Sequence, residues 1–123
     1  MQKVYYNKLV RDRILHKIES KGETCSVRII EDDAELQQEL LKKVIEEASA
    51  LAHVTSRTEF LAEYADLMVV LDALTAQLEF SEADIKTALL ENVEKKGLYK
   101  SRHFLHWSEA TEYKSNETPQ GVQ

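Results

Sequence analysis

The spacing of apolar residues between positions 36 and 78 sets the strongest limit on what this chain can fold into. Leu36, Leu40, Leu41, Val44, Ile45 and Leu51 recur at helical intervals and predict a helix running to about His53. Asp32, three residues before Glu35, supplies a capping pair at its start. Ser56-x-x-Glu59 is a second capping box. It opens a longer helix with a broad apolar face: Phe60, Leu61, Tyr64, Leu67, Met68, Leu71, Leu74 and Leu78. So short a connection makes the two helices antiparallel neighbours.

The flanking segments extend the same pattern. Val10, Ile14 and Ile18 are four residues apart within 7–18, which predicts a first helix with one apolar stripe, closed by Gly22. Cys25 to Ile30 is β-branched and short, and reads as an extended strand or connector. Ser81 is the next N-cap, and the helix it opens carries Ile85, Leu89, Leu90 and Val93 to a stop at Gly97. With 3 Gly and 1 Pro in 123 residues, helix is favoured throughout. The expected fold is all-α: an antiparallel bundle of about four helices, with at most short extended segments near 25–30 and 103–107. Residues 1–107 read as a single domain, with 98–107 returning over the bundle. Residues 108–123 read as a polar, loosely ordered tail.

Charge is unevenly spread over a net −6. Residues 1–22 carry six Lys/Arg and two acids, 23–94 carry five and seventeen, and 95–106 carry four and none. Two basic ends flank an acidic middle. The overall sign argues against duplex nucleic acid as a partner. The pattern suits an anionic ligand held through a metal on one side and Lys/Arg on the other, or basic ends that neutralise acidic helices. No apolar run approaches the roughly 20 residues of a membrane span. The first residues lack the apolar core of a signal peptide, and Cys25 is the single cysteine, so a cytoplasmic location and a plain structural thiol are expected.

Glu63 and Asp66 lie one turn apart on one helix face, among Leu61, Tyr64, Leu67 and Met68. Two carboxylates there repel unless a cation sits between them. Mg²⁺ is one solution and a Lys or Arg from a neighbouring helix another. In a hairpin turning near Thr55, residue 47 falls beside residue 63, so Glu46 and Glu47 join the same place. The plain alternative is two acidic faces in water.

The chain resembles the MazG-like nucleotide pyrophosphohydrolases, in their phosphoribosyl-ATP pyrophosphohydrolase-like branch. Tyr6-Asn7-Lys8-Leu9-Val10-Arg11-Asp12-Arg13 looks like the opening Y-N-K-L-V-R-D-K-I of that family. Lys43-Val44-Ile45-Glu46-Glu47 looks like the approach to E-E-x-x-E, and Glu63-Tyr64-Ala65-Asp66 like E-x-x-D. Lys95-Lys96-Gly97-Leu98-Tyr99-Lys100 is similar to the closing G-G-F-x-K/R. The resemblance implies an all-α, Mg²⁺-dependent hydrolase (Mn²⁺ also serving) that cleaves a nucleoside triphosphate to the monophosphate and pyrophosphate. By position, Glu47, Glu63 and Asp66 would bind metal, and Glu46, with Glu47, would serve catalysis by orienting water. Lys8, Arg11 and Arg13 would contact phosphates, with Lys96, Lys100 and Arg102 as second choices. The resemblance, and an apolar face on 60–78 too broad for one hairpin to cover, imply a homo-oligomer, a dimer or tetramer.

Two positions depart from the family pattern. Ala50 stands where the third glutamate of E-E-x-x-E is expected, and Leu98 where glycine is usual. Glu59, one turn before Glu63, is a candidate substitute ligand. His103 and His106 read as structural or surface histidines, since no carboxylate or Cys completes a zinc set near them. Core packing is the plain reading of Tyr64 and Trp107. Two other functions stay open: a homologue that binds nucleotide or a partner without turnover, with Ala50 as the lesion, and a helical interaction module.

Overall fold

Helix ends in this chain are set by local hydrogen bonds, and they account for most of the fold. The computed structural model describes residues 2–109; positions 110–123, most of the expected tail, lie outside the described residues. The described residues form four α-helices and no strand: α1 (Ile14–Ser20), α2 (Asp33–Ala52), α3 (Arg57–Gln77) and α4 (Glu82–Lys96). The all-helical fold agrees with the sequence. None of these helices is long and apolar enough to cross a membrane.

Asp32 caps α2, its Oδ2 accepting the Glu35 N–H at 3.1 Å. Ser56 does the same for α3, its Oγ accepting the Glu59 N–H at 3.1 Å. Between Ser81 and Asp84 the exchange is reciprocal, each side chain accepting from the other's backbone N–H. α1 ends in a Schellman turn: the Gly22 N–H donates to the Glu19 carbonyl and the Glu23 N–H to that of Ile18, with Gly22 at φ 77. α3 ends in the same turn, but its left-handed residue is Glu79, at φ 61. An L side chain there costs about 1–2 kcal/mol.

The contacts divide the chain into one unit through Lys86 and another from Thr87. In the first unit α2 packs along α3. Gln77 near the end of α3 donates its side-chain amide to the Asp33 carbonyl at the start of α2, so the two run antiparallel over their whole length. Leu40, Val70 and Leu74 are its buried residues, with Leu9, Leu36, Val44 and Ala73 packed against them. In the second unit the rest of α4 ends at Gly97 (φ 78), whose N–H donates to the Val93 carbonyl. Residues 102–109 there have no regular element, and Phe104 meets the ring of His106 edge-on at 5.3 Å.

Three sequence expectations are corrected. The first helix begins at Ile14, not near Asn7: Asn7 is left-handed at φ 47, and residues 2–11 run as a strap across the first unit. Val10 therefore lies outside the helix and is exposed. Most of the α3 face, including Phe60, Leu61, Tyr64, Met68, Leu71 and Leu78, is exposed in the single chain. The reason is angular: a helix touching one neighbour buries one stripe, and Val70 and Leu74 take it. Tyr64 and Trp107 are likewise not core residues; Tyr64 stacks on Phe60, and Trp107 is exposed.

The connector between α1 and α2 is tied down by charge. Arg28 donates from both guanidinium ends to the two Glu35 oxygens, which holds the Glu35 carboxyl below its usual range. A carboxylate with a depressed folded-state pKa adds stability above its unfolded pKa and loses it as pH falls through the folded one. Arg28→Met is therefore expected to lower the urea midpoint near neutral pH, with the gap from wild type closing as pH falls below the ordinary glutamate range. A gap that stays constant with pH would show the pair contributes no charge-dependent stability.

Candidate metal and phosphate site

The site forms because the α2–α3 hairpin counts residues evenly about its turn. Glu47 is on α2, eight positions before Thr55, and Glu63 is on α3, eight after it. Asp66 follows one turn along α3 on the same face. One carboxylate oxygen from each of these three residues lies within 4.8 Å of the others. All three are partly buried, the Glu47 side chain 16% exposed and that of Asp66 42%.

Three cations paired with the carboxylates define the field. Lys8 Nζ is 2.8 Å from Glu46 Oε1, and Lys43 Nζ is 3.0 Å from Glu46 Oε2 and 3.6 Å from Glu47 Oε1. Arg11 Nη1 is 3.3 Å from Asp66 Oδ1. Glu63 has no cation partner among the described residues. Burial against the helix seam, then the charges of Asp66 and Glu47 and a hydrogen bond to Glu47, push its carboxyl above the usual range. Glu46 is the opposite case. Hydrogen bonds from Lys8 and Lys43 hold it below that range, and the same bond holds Lys8 above its own.

The donor set can be checked against a hard divalent cation. Oxygens bound to Mg²⁺ at about 2.0–2.1 Å stand about 3.0–4.2 Å apart, so a 4.8 Å cluster closes on the ion through small side-chain rotations. The chemistry fits as well: three oxygens, no sulfur or nitrogen, and a repulsion at Glu63 that a cation relieves.

Every expected residue can now be placed. Glu46, Glu47, Glu63, Asp66, Lys8 and Arg11 come together. Arg13 is the N-cap of α1 and pairs with none of the four carboxylates. Lys96 ends α4, Lys100 lies in the following turn, and Arg102 is left-handed at φ 58; all three belong to the second unit. The acidic cluster is built without them. Glu59 does not reach for the ligand set: its Oε2 accepts the Thr55 N–H at 3.1 Å and the Thr55 hydroxyl at 3.3 Å, which uses it as a cap. Lys43 is the residue the sequence reading missed. Its signal was the spacing of three and four residues to Glu46 and Glu47, which puts its amine on both.

Ala50 lies on α2 three residues past Glu47, on the cluster's side of the helix. Ala50→Glu is expected to tighten Mn²⁺ binding about tenfold, read by calorimetry. The helix itself should lose only a few tenths of a kcal/mol. Unchanged or weaker Mn²⁺ binding would remove residue 50 from the ligand set.

Comparison with protein-family models, with characterised proteins and with solved structures finds no match. What fold and geometry define is therefore a class of arrangement: a helical hairpin with a three-carboxylate cluster, bordered by a basic N-terminal strap.

Proposed function

We propose that this chain is a metal-dependent nucleotide pyrophosphohydrolase, converting a nucleoside triphosphate and water to the monophosphate and pyrophosphate. The observation that carries the reading is the convergence of Glu47, Glu63 and Asp66 beside Lys8 and Arg11. Motif order in the sequence supports it. Glu47, Glu63 and Asp66 would hold Mg²⁺ or Mn²⁺. Bound there, the metal neutralises phosphate charge and makes a bound water more acidic.

The protein's own groups divide the remaining work. Arg11 is 58% exposed and holds Asp66 by a single 3.3 Å contact, so it is free to swing to a phosphate once a stronger cation takes the aspartate. Lys8 is the second phosphate contact. Glu46, gripped on both oxygens by lysines, is a poor proton acceptor and serves to position water and Lys8. A cytoplasmic setting agrees with an exposed, unpaired Cys25.

A screen of triphosphates, including modified bases, with Mg²⁺ or Mn²⁺ and pyrophosphate detection tests the reading. No release from any nucleotide, together with no thermal shift on adding either metal, overturns it. Ala50 favours a second reading, a homologue that binds metal and nucleotide without turnover. Its mark would be a thermal shift with no pyrophosphate.

A further inference from the structure

The N-terminal strap brings two cations to the acidic side of the hairpin. Leu9 packs on the Leu40, Val70 and Leu74 core, and Lys8 and Arg11 flank it in the chain. Each reaches a carboxylate of a different helix: Lys8 meets Glu46 of α2 at 2.8 Å, and Arg11 meets Asp66 of α3 at 3.3 Å. With Lys43, three cations face the four carboxylates Glu46, Glu47, Glu63 and Asp66. These charges nearly cancel, so neither a lone cation nor a lone anion meets a strong field there.

The three cations are not equally committed. Lys43 is 15% exposed and touches Glu46 and Glu47 on its own helix. Lys8 is 41% exposed, and Glu46 keeps Lys43 at 3.0 Å if Lys8 turns away. Arg11 is the most exposed of the three, and its contact is long for a charge-assisted hydrogen bond. The carboxylate that Arg11 holds belongs to the three-oxygen cluster, whereas Glu46 does not.

We propose, on the reading of the site given above, that Arg11 is an exchange residue: it covers Asp66 until a divalent cation takes that carboxylate, and is then released to the phosphates. Cation and polyphosphate thereby each prepare the site for the other. Leu9 keeps the backbone of the strap in place, so the exchange is a swing of one side chain. Such a site favours a metal-complexed polyphosphate over free metal or free phosphate, because the complex supplies both of the charges that Asp66 and Arg11 supply to each other. By linkage, the exchange must work in both directions.

Each direction is measured by itself in the full chain, by calorimetry with Mn²⁺ alone and with inorganic tripolyphosphate in the presence of a chelator. Arg11→Met uncovers Asp66 and is expected to tighten Mn²⁺ binding about two- to fivefold, the range an exposed ion pair allows. Arg11→Lys keeps a competing charge and should stay within about twofold of wild type. Asp66→Asn frees Arg11 and is expected to tighten tripolyphosphate binding, again about two- to fivefold. Arg13→Met and Asp72→Asn make the same changes of net charge outside the pair, and salt screening should leave both constants within about 1.5-fold of wild type. Mn²⁺ binding that weakens or stays the same in Arg11→Met overturns the exchange and leaves the metal site standing. So does tripolyphosphate binding that weakens or stays the same in Asp66→Asn, or an equal gain in the two charge controls. Absence of Mn²⁺ binding by the wild-type chain overturns the reading of the site itself, and the exchange with it.

Discussion

Asp66→Asn is expected to lower pyrophosphate release about a hundredfold or more while the helices stay folded. The substitution keeps the side chain's shape and removes its charge. One of three oxygens within 4.8 Å is then a weak neutral donor, and Arg11 loses its partner. That partner is no large source of stability, since the pair is exposed and such pairs contribute about 0–1 kcal/mol. Glu63→Gln gives the sharper result. Glu63 is the carboxylate that burial, then the charges of Asp66 and Glu47, push toward protonation, so removing its charge relieves both. Without metal, the Glu63→Gln chain is expected to be as stable as wild type or more so. With Mn²⁺ it should show little of the wild-type thermal shift and little pyrophosphate release. Thermal melts with and without Mn²⁺ separate the two effects. A full Mn²⁺ shift in both variants would show that the three carboxylates do not form a metal site, whatever the enzyme assay returns.

Leu74→Ala should come close to unfolding the first unit. Among the described residues its core consists of Leu40, Val70 and Leu74, so one truncation removes a third of the buried apolar side chains. Leucine-to-alanine changes in cores cost about 2–5 kcal/mol, against total stabilities of about 5–15 kcal/mol. The space left has little to collapse onto it, because α2 packs there on α3 and the surrounding side chains are partly exposed. A lower urea midpoint by circular dichroism is the readout, with Leu89→Ala, at an exposed position, shifting stability by no more than about 0.5 kcal/mol. Equal effects at the two positions would show that the burial seen in the hairpin is not what holds it together.

Much of the fold was legible because its signals are local. Asp32, Ser56 and Ser81 bond to residues three positions away, and Gly22 and Gly97 adopt the left-handed backbone that ends a helix. The meeting of Glu47 with Glu63 was also legible, since a short turn fixes hairpin register by counting. The strap from residue 2 to 11 was not. Val10, Ile14 and Ile18 keep helical spacing, yet Leu9 packs on the α2–α3 core while Lys8 and Arg11 reach Glu46 and Asp66, 38 and 55 residues away. No window of sequence contains such a pairing, and it prevails over a weak local helix preference.

The acidic helix pair marks the boundary between the two kinds of information. Sequence alone determined that Glu47, Glu63 and Asp66 share one face and one level of a hairpin, because helical periodicity and turn length are properties of neighbouring residues. Only the tertiary structure decided how each carboxylate is balanced: Asp66 by Arg11, Glu46 by Lys8 and Lys43, and Glu63 by no cation among the described residues. It also decided that Glu59 caps a helix and that the apolar face of α3 stays open beyond Val70 and Leu74. Charge balance and burial depend on which distant groups arrive within a few ångströms, and that is settled by packing.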